Sequence, residues 1–490
     1  MRGKVLIWLA AALLASAGVY TIACHLRSPR QAPLTPAGGL VDDLRGSVNG
    51  ANVVVIIMDA TRADHVGCYG YRRDTTPTLD GLAKQSVVFA RHFSQSAETK
   101  SSTACLLTSQ YCDTNLADGP RSLIPGTFTM EAGLRRAGFH TLLISANLKA
   151  SPLYGIGADF RDSIWERQLE PLGRKGEEPF SLTPAVLRAF SDWLGHNQSE
   201  RFFAYIHLLP PHYPYAQPAE FTGRFAGLEP IGFKPGELPF PEMVPRPFPT
   251  PPALPEWINL YDANLRYSDW AVTELIKQLQ ERRLLDKTLL IVTADHGEAF
   301  GEHGHVWHGR SVYDEACHIP LLIRFPNGKL AGTRVPSLTQ SIDLLPTVFD
   351  LLKVSYPAEG IQGRSLLPVL AGRVGSAHDF VFSRAGGSPS KYLVRGEDYA
   401  FMLYSKGRWR ALYDLRNDPQ ERSNVVDANR RTDEQMLAAF RDFAAQQRRP
   451  PMDFLEPNAV LPRLPRVPEI PMSPQDRAHV NRIANLGYLR

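Results

Sequence analysis

The chain has 490 residues, of which 43% are apolar and 21% are charged. This composition is typical of a folded globular protein and excludes a mainly disordered chain. The formal net charge of +4 comes from nearly equal numbers of acidic and basic residues, without a dense Lys/Arg run, which argues against nucleic acid as a partner.

The N-terminus has the pattern of an export segment. Arg2 and Lys4 precede an uncharged stretch from Val5 to Cys24. We interpret residues 1–24 as a signal peptide or an uncleaved membrane anchor, because the stretch is long enough for either. A lipidated Cys24 is a third interpretation, which the preceding residues fit poorly. The expected location is exported, periplasmic or extracytoplasmic, with the membrane as a partner if the segment is retained.

The next segments predict a linker and then a catalytic domain. Residues 25–50 are rich in Pro, Gly and Ser, which indicates a linker. The domain predicted at 51–375 starts with a continuous apolar run, typical of a parallel strand buried on both faces. Similar runs alternate with helical patterns at 76–86 and 260–279. The apolar runs lie at 53–58, 141–145, 202–209, 288–292 and 319–323. The alternation predicts an α/β fold with a doubly wound, mostly parallel sheet.

The C-terminal part has a different character. Residues 376–450 predict a small C-terminal α+β subdomain, with an antiparallel sheet at 391–395, 399–404 and 408–413 followed by an amphipathic helix at 433–447. Residues 451–490 are a Pro-rich tail with a short terminal helix. A further Pro-rich stretch at 227–255 is interpreted as a surface excursion or as a cover over the functional site.

Three predicted strand ends carry groups that can bind a metal ion. Asp59 follows the first strand, His212 follows the strand that ends near residue 209, and Asp295 and His296 follow the strand that ends at residue 292. Ligands bind beyond the carboxyl ends of the strands in an open parallel sheet. Two carboxylates and an imidazole from distant segments are therefore expected to meet there as metal ligands.

Thr99 is the candidate nucleophile. It lies in a run of small hydroxyl residues that leads into a short helix, and a helix N-terminus favours an anionic ester through its free N–H groups and dipole. A threonine hydroxyl needs a metal ion or a nearby base to react. Each piece alone has a simpler interpretation, because Thr before a helix is usually a cap and Asp-His-Gly after a strand is often a turn.

Several ordered motifs resemble those of the sulfatase family within the alkaline phosphatase superfamily. VVVIIMDATRADHVGCYGYRRDTTPTLDGLA at 53–83 resembles the opening strand and loop of sulfatases. DHGE at 295–298, continued by GEHG at 301–304, is similar to their second metal-binding segment, and PHYPY at 211–215 extends the likeness. The resemblance spans about residues 51–427 and implies a metal-dependent ester hydrolase with the sulfatase-type α/β core.

The site departs from the sulfatase pattern at the nucleophile. Sulfatases carry Cys or Ser, any residue, Pro, any residue and Arg there, and they oxidise the first residue to formylglycine. Residues 99–103 read TKSST, and threonine cannot become that aldehyde. Ala60 replaces the second of two paired aspartates, His296 replaces the usual Asn, and His308 takes the place of a substrate-binding lysine. These changes suit one divalent ion, Mn²⁺ or Zn²⁺ rather than Ca²⁺.

This variant resembles the threonine-dependent phospho- and phosphonoester hydrolases and the phosphoethanolamine or glycerophosphate transferases of the superfamily. The resemblance implies a covalent phosphothreonine, with a small-molecule, lipid or glycan ester as substrate. It assigns the site residues as follows: Asp59, Thr99, Asp295 and His296 as metal ligands, His212 and His308 as catalytic contacts to the ester, and Asn147 and Lys100 as substrate-binding residues.

Several alternatives stay open. The reaction is expected on phosphate or phosphonate mono- or diesters, while a sulfatase without formylglycine, a transferase and a non-catalytic binding protein are the other interpretations. A second metal centre at His303, His305 and His308 is a less favoured hypothesis. His65 and His207 are interpreted as structural. Cys105 and Cys112 are expected to be free buried thiols, too far apart to pair if one helix carries both.

Overall fold

The computed structural model describes residues 44–117, 123–169, 182–213, 215, 217–228, 254–386, 390–404, 409–449 and 473–485. These residues belong to one unit, Leu40–Arg490. The predicted export segment at 1–24 lies outside the described residues. Most of the predicted linker, most of the Pro-rich stretch at 227–255 and most of the tail lie outside them as well. No helix in the described ranges is both long enough and apolar enough to cross a bilayer.

The strands and helices begin and end as follows. The strands are β1 (Asn52–Met58), β2 (Val87–Phe93), β3 (His140–Ser145), β4 (Asp162–Trp165), β5 (Phe202–Leu208), β6 (Thr288–Thr293), β7 (Ala299–Phe300), β8 (Val306–Trp307), β9 (His318–Ile319), β10 (Leu321–Arg324), β11 (Arg334–Gln340), β12 (Val381–Ala385), β13 (Lys391–Arg395), β14 (Tyr399–Tyr404) and β15 (Trp409–Asp414). The α-helices are α1 (Pro77–Ala83), α2 (Thr99–Thr108), α3 (Cys112–Asn115), α4 (Met130–Arg136), α5 (Glu166–Leu169), α6 (Thr183–Asn197), α7 (Ala219–Thr222), α8 (Leu254–Glu281), α9 (Asp314–Cys317), α10 (Leu344–Leu352), α11 (Leu367–Leu370), α12 (Arg430–Ala445) and α13 (Pro474–Asn485).

The central sheet confirms the predicted α/β fold. Its strand order is β11-β2-β10-β6-β1-β5-β3-β4, with β9 paired to β2. The strands β6, β1, β5, β3 and β4 are parallel to their neighbours in this order, whereas β10 runs antiparallel to β6 and β2. The sheet is therefore mostly parallel, as the sequence predicts.

Both faces of the sheet are covered, which explains the continuous apolar character of β1. Val54, Ile56 and Met58 pack in one core layer with residues of α6 and α8. Val53 and Ile57 point to the opposite layer, where α2, α4 and α10 pack. Alternate residues of a strand point to opposite faces, so a strand with two covered faces needs an apolar side chain at every position.

Some sequence-based expectations were incomplete or wrong. The strand predicted at 319–323 is divided at Pro320 into β9 and β10, because proline lacks the N–H that a central ladder requires. The strands β2, β4, β11 and β12 were not predicted. The end of the predicted linker already packs on the domain, since Leu44 and Val48 are buried and the Gly46 N–H donates to the Asp350 carbonyl at 2.9 Å.

The C-terminal sheet confirms the predicted antiparallel meander. β12, β13, β14 and β15 pair in that order, each antiparallel to the next. α12 packs on this sheet through Met436 and Phe440, which share a core cluster with Val394 and Phe401. The terminal helix of the tail is also present, as α13.

Cys105 and Cys112 do not lie on one helix. α2 ends at Thr108, Ser109 takes a left-handed conformation with φ of 55°, and Cys112 begins α3. Both thiols are free and buried, as expected, but their Sγ atoms are 3.4 Å apart. The separation expected for one continuous helix therefore does not apply, because the first helix ends before Cys112.

Candidate active site

Four adjacent parallel strands bring polar side chains to one edge of the sheet. Asp59 directly follows β1, Asp295 follows β6 by two residues, and Asn147 follows β3 by two residues. His207 is the penultimate residue of β5. All of these side chains are less than a tenth exposed. The geometry of parallel strands therefore gathers them at a single buried position, as the sequence predicts for Asp59, Asp295 and Asn147.

Each of the two carboxylates has one oxygen bonded to the protein. Asp59 Oδ2 accepts a hydrogen bond from Asn147 Nδ2 at 2.5 Å and lies 3.1 Å from His207 Nε2. Asp295 Oδ1 accepts from the N–H groups of Ala60 and His296, at 3.1 and 2.9 Å. These bonds fix both carboxylates in orientation.

The second oxygen of each carboxylate has no hydrogen-bond partner among the residues that the structure describes. Asp59 Oδ1 and Asp295 Oδ2 are buried and unpaired, and they lie 3.6 and 3.4 Å from His296 Nε2. His296 Nδ1 donates to the Gly297 carbonyl at 2.8 Å, which leaves a lone pair on Nε2. Two carboxylate oxygens and an imidazole nitrogen thus converge, and such a set of ligand atoms suits a divalent metal ion. Hydrogen bonds to the remaining atoms of these side chains already orient the three ligands.

The electrostatics of the two carboxylates also favour a bound cation. Burial opposes the charge on Asp59, yet the imidazoles of His212 and His207 hold its pKa well below the usual range. Burial and the negative charge of Asp59 raise the pKa of Asp295. Two buried carboxylates this close repel each other, and a cation between them would offset both the repulsion and the burial.

Thr99 lies within the same cluster. It is the first residue of α2 and is 2% exposed, and its Oγ1 is 3.2 Å from His296 Nε2 and 3.3 Å from Asn147 Nδ2. The hydroxyls of Ser94 and Ser102 each donate to the Asp295 carbonyl at 2.5 Å. These bonds fasten the start of α2 to the loop that carries Asp295, so the predicted nucleophile meets the predicted ligands.

Three imidazoles form a row that leads outward from the cluster. The ring of His308 stacks on His296 with centroids 4.3 Å apart, and His212 lies 4.8 Å from His308. Burial lowers the pKa of His308 and His212, and the positive charge of Lys149 adds to the effect on both. His308 Nδ1 is 3.0 Å from Glu298 Oε1, and His212 Nδ1 donates to the Tyr213 carbonyl. Both rings therefore have their Nδ1 engaged by the protein.

Sequence reasoning missed three residues near this site. His207, which we interpreted as structural, lies with its Nε2 3.1 Å from Asp59 Oδ2, so it contacts a predicted metal ligand, and its role stays a prediction. Glu298 faces His308, and its pKa is raised well above the usual range by burial and by the charge of Asp59. Lys149 follows Asn147, whose Oδ1 accepts from the Lys149 N–H at 2.8 Å. Its position two residues beyond a predicted site residue was the available signal.

Two further expectations have different outcomes. Lys100 is buried, with its ammonium 5.6 Å above the Tyr154 ring, and its contact with substrate stays a prediction. The second metal centre is not formed, since His303 faces Glu315, His305 faces Lys391 and His308 faces Glu298. Within the described ranges, the set formed by Asp59, Asp295 and His296 is the one with metal-ligand spacing.

Gly297 allows the metal-binding loop to approach its neighbour closely. Its N–H donates to the Ala316 carbonyl at 2.9 Å, and a Cβ at this position would lie 2.0 Å from the Glu315 carbonyl oxygen. A side chain cannot fit at that distance. The residue after His296 must therefore be glycine for this loop to keep its path.

Comparisons with known proteins agree on one family. A family model described as Sulfatase matches residues 51–354, and one described as N-sulphoglucosamine sulphohydrolase, C-terminal, matches residues 301–445. The uncharacterized sulfatase YidJ of Escherichia coli strain K12 is 26% identical over 455 residues, covering 81% of this chain and 88% of its own length. Choline-sulfatase of Rhizobium meliloti strain 1021 is 24% identical over 427 residues, covering 75% and 81%. The crystal structure of phosphonate monoester hydrolase of Agrobacterium radiobacter matches with a TM-score of 0.68 and 21% identity, covering 81% of this chain and 95% of that one.

Proposed function

This chain belongs to the sulfatase family and is an ester hydrolase, and we propose that it cleaves phosphate or phosphonate esters through Thr99 as a covalent nucleophile. The observation that carries the proposal is the position of the Thr99 hydroxyl, 3.2 Å from His296 Nε2 beside two orphaned carboxylate oxygens. A hydroxyl at the start of a helix and at a metal-ligand set is placed for attack on an anionic ester.

The metal ion is proposed to be Mn²⁺ or Zn²⁺. Asp59, Asp295, His296 and Thr99 would hold it, because ligand atoms of the first three lie within 4.8 Å of one another and Thr99 Oγ1 is 3.2 Å from His296 Nε2. A bound divalent cation would lower the pKa of the Thr99 hydroxyl and neutralise charge on the ester oxygens. A set with an imidazole and a single pair of carboxylates suits these ions better than Ca²⁺, which prefers more oxygen ligands.

The first half-reaction transfers the phosphoryl or phosphonyl group to the protein. Thr99 Oγ1 attacks phosphorus, so that an Oγ1–P bond forms while the bond from phosphorus to the leaving oxygen breaks. The leaving oxygen takes a proton from His308 Nε2, while Glu298, whose raised pKa keeps it protonated, orients the ring and gives its proton to Nδ1. Thr99 Oγ1 gives its proton to solvent, so one proton leaves the nucleophile and one, from Glu298 by way of His308, reaches the leaving oxygen.

The second half-reaction releases the group from Thr99. Water attacks phosphorus and gives a proton through His308 back to Glu298, while the Oγ1–P bond breaks and Thr99 Oγ1 takes a proton from solvent. This step supports a phosphorus ester over a sulfate ester, because formylglycine can expel sulfate with its second hydroxyl and threonine has none. An acceptor alcohol in place of water would make the protein a transferase.

The relatives favour two alternatives for the ester. Choline-sulfatase points to sulfate esters of small molecules, and phosphonate monoester hydrolase points to phosphorus esters. Purified protein loaded with Mn²⁺ or Zn²⁺ should be assayed with 4-nitrophenyl sulfate, bis(4-nitrophenyl) phosphate and 4-nitrophenyl phenylphosphonate. We expect turnover of the phosphorus esters, and turnover of the sulfate alone would reject the proposal.

The covalent step has its own test. Mass spectrometry of rapidly quenched enzyme should find the added group on the peptide that contains Thr99. Thr99→Ala should abolish turnover and the adduct while metal stays bound through Asp59, Asp295 and His296, and Thr99→Ser should keep part of the activity. A non-catalytic binding protein would give no adduct and no turnover to lose.

We also propose that the protein is exported, periplasmic or extracytoplasmic, by way of residues 1–24. The support is the apolar stretch after Arg2 and Lys4. Cell fractionation followed by N-terminal sequencing would show whether the segment is removed or retained as an anchor. Full-length protein in the cytosolic fraction would reject the proposal.

A further inference from the structure

An aromatic surface lies next to His212 and His308, the two imidazoles assigned above to contacts with the ester. It consists of Tyr213, Trp257 and Trp307. The ring centroids are 6.1 Å apart for Tyr213 and Trp257, 6.3 Å for Tyr213 and Trp307, and 6.0 Å for Trp257 and Trp307. All three side chains are partly exposed. Three partly exposed aromatic residues in contact form an apolar patch beside a polar site. Such exposed patches often mark a ligand-binding site.

The chain connects this aromatic surface directly to the imidazoles. Tyr213 follows His212 and Trp307 precedes His308, while the two imidazole rings are 4.8 Å apart. Trp257 comes from the first turn of α8, and its ring is 6.1 Å from that of Tyr213 and 6.0 Å from that of Trp307. A group attached to an ester oxygen near His212 and His308 therefore has this surface within its reach.

Trp307 is held in a costly conformation. Its φ is +65°, in the left-handed region that a bulky residue rarely adopts, and its buried Nε1 has no hydrogen-bond partner among the described residues. Backbone strain and an unpaired donor each reduce stability and are concentrated at functional positions.

We propose that Tyr213, Trp257 and Trp307 bind the flat face of a ring in the leaving group, an aryl or pyranose ring, by stacking. The proposal rests on the function proposed above for His212 and His308. The aromatic surface itself carries no charged group, which favours an uncharged ring over an ionic one. The planes are inclined by 28° for Tyr213 and Trp257, by 34° for Trp257 and Trp307, and by 54° for Tyr213 and Trp307. None of these pairs is close to perpendicular, whereas a box around an ammonium group needs walls that enclose it from several sides.

The test measures binding without chemistry. In metal-loaded Thr99→Ala protein, dissociation constants are measured by calorimetry for phenyl phosphate, glucose 6-phosphate, phosphocholine and methyl phosphate. Trp257→Ala is then added, with Trp270→Ala as the matched control, because Trp270 lies on the same helix and is exposed. We expect Trp257→Ala to weaken the phenyl ester, the sugar ester or both about tenfold and to leave methyl phosphate unchanged.

The pattern across ligands decides the outcome. A loss confined to phenyl phosphate identifies an aryl group, and a loss confined to glucose 6-phosphate identifies a pyranose. A loss confined to phosphocholine, or equal losses for all four ligands, overturns the proposal, as does no change. Tyr213→Leu provides a second variant for the same comparison, and retained metal content shows that the site is intact.

The same measurement separates this inference from the proposed reaction. Phenyl sulfate and methyl sulfate form a parallel pair of ligands. If the protein binds the sulfate esters and not the phosphate esters, the phosphorus reaction fails, yet a selective loss of phenyl sulfate in Trp257→Ala still supports the aromatic surface. If phosphate esters bind and Trp257→Ala changes none of them, the reaction stands and the ring-binding role fails.

Discussion

Two buried clusters of charged side chains in this protein differ in how their charges are balanced. The catalytic cluster is Asp59, Asp295, His296 and Thr99, in which Asp59 Oδ1 and Asp295 Oδ2 have no hydrogen-bond partner in the part of the chain that the structure describes. The second, here called the subdomain cluster, joins the core to the C-terminal sheet. It consists of His303, Asp314, Glu315, Arg395 and Glu421.

The subdomain cluster supplies its own opposite charges. His303 Nδ1 lies 2.9 Å from Glu315, and Arg395 lies 2.9 Å from Asp314 and 3.3 Å from Glu421. A buried charge without a partner is costly, so the catalytic cluster is complete only with a cation from outside. Asp314 Oδ1 also lacks a hydrogen-bond partner among the described residues, but among those residues metal-ligand spacing is found only for Asp59, Asp295 and His296. Buried acidic residues or single unpaired atoms therefore do not identify a functional site, whereas the convergence of several ligand atoms does.

The largest expected effect is the loss of the metal ligand Asp295. Asp295→Asn should lower metal content, and kcat/KM should fall about 10³-fold or more, because the bound ion contributes several kcal/mol to the transition state. Metal analysis by mass spectrometry and steady-state kinetics measure both. Glu315→Gln in the subdomain cluster is the control, which should lose stability and keep metal. Full metal content and activity in Asp295→Asn would remove the distinction between the clusters.

The next effect concerns the proton carried by His308. His308→Gln should reduce kcat by about 10² to 10⁴-fold for an ester with an alkyl leaving group, and much less for 4-nitrophenol, which departs without a proton. Glu298→Gln should act in the same direction to a smaller extent, since Glu298 orients the ring. His305→Gln on the same loop is the control. Equal losses for both leaving groups would contradict the assigned role.

A smaller effect is expected at His207, whose Nε2 lies 3.1 Å from the bonded oxygen of Asp59 and 3.8 Å from Asp295 Oδ2. His207→Gln should weaken metal affinity about 10 to 100-fold, as for other residues that orient a ligand. Competition with a metal-binding dye measures the affinity, and the exposed His196→Gln is the control. Unchanged affinity would show that Asn147 alone is enough to hold Asp59.

The smallest effect is a pH dependence of stability in the subdomain cluster. Burial opposes the charge on His303, but Glu315 raises its pKa to about 9. A pKa raised on folding stabilises the protein below the unfolded value, and this contribution is lost as the pH rises through about 9. Between about pH 6.5 and 9 the free energy of unfolding should fall by on the order of 1–3 kcal/mol.

Chemical denaturation at several pH values tests this expectation. His303→Gln should flatten the decline over the same interval, although Glu421 contributes in the same direction, because burial and the charge of Asp314 raise its pKa to about 8. A decline of equal size in His303→Gln would assign the effect to Glu421.

The sequence predicted the catalytic cluster because its members lie at the ends of strands or at the start of a helix. Asp59 and Asp295 follow apolar runs, and the geometry of a parallel sheet then brings them together. His207 could not be recognised in this way, because a histidine inside the apolar run of β5 has the pattern of a core residue. Glu298 meets His308 only through the path of the loop between them, which no local pattern specifies.

The fold was predictable to a similar extent. The strand β1 and its parallel neighbours are continuous apolar runs, whereas β2 contains Arg91 and His92, so its pattern does not indicate a strand. The antiparallel direction of β10 depends on its tertiary partners β6 and β2. Periodicity reports burial, and it carries no information about strand direction.

The close approach at Gly297 limits how this enzyme can be engineered. The backbone it touches belongs to Glu315, whose side chain pairs with His303. Any replacement of Gly297 must displace either His296, the proposed metal ligand next to it, or Glu315, which pairs with His303. Activity and thermal stability would therefore decline together. Libraries that aim to improve one property without harming the other should leave this position unchanged.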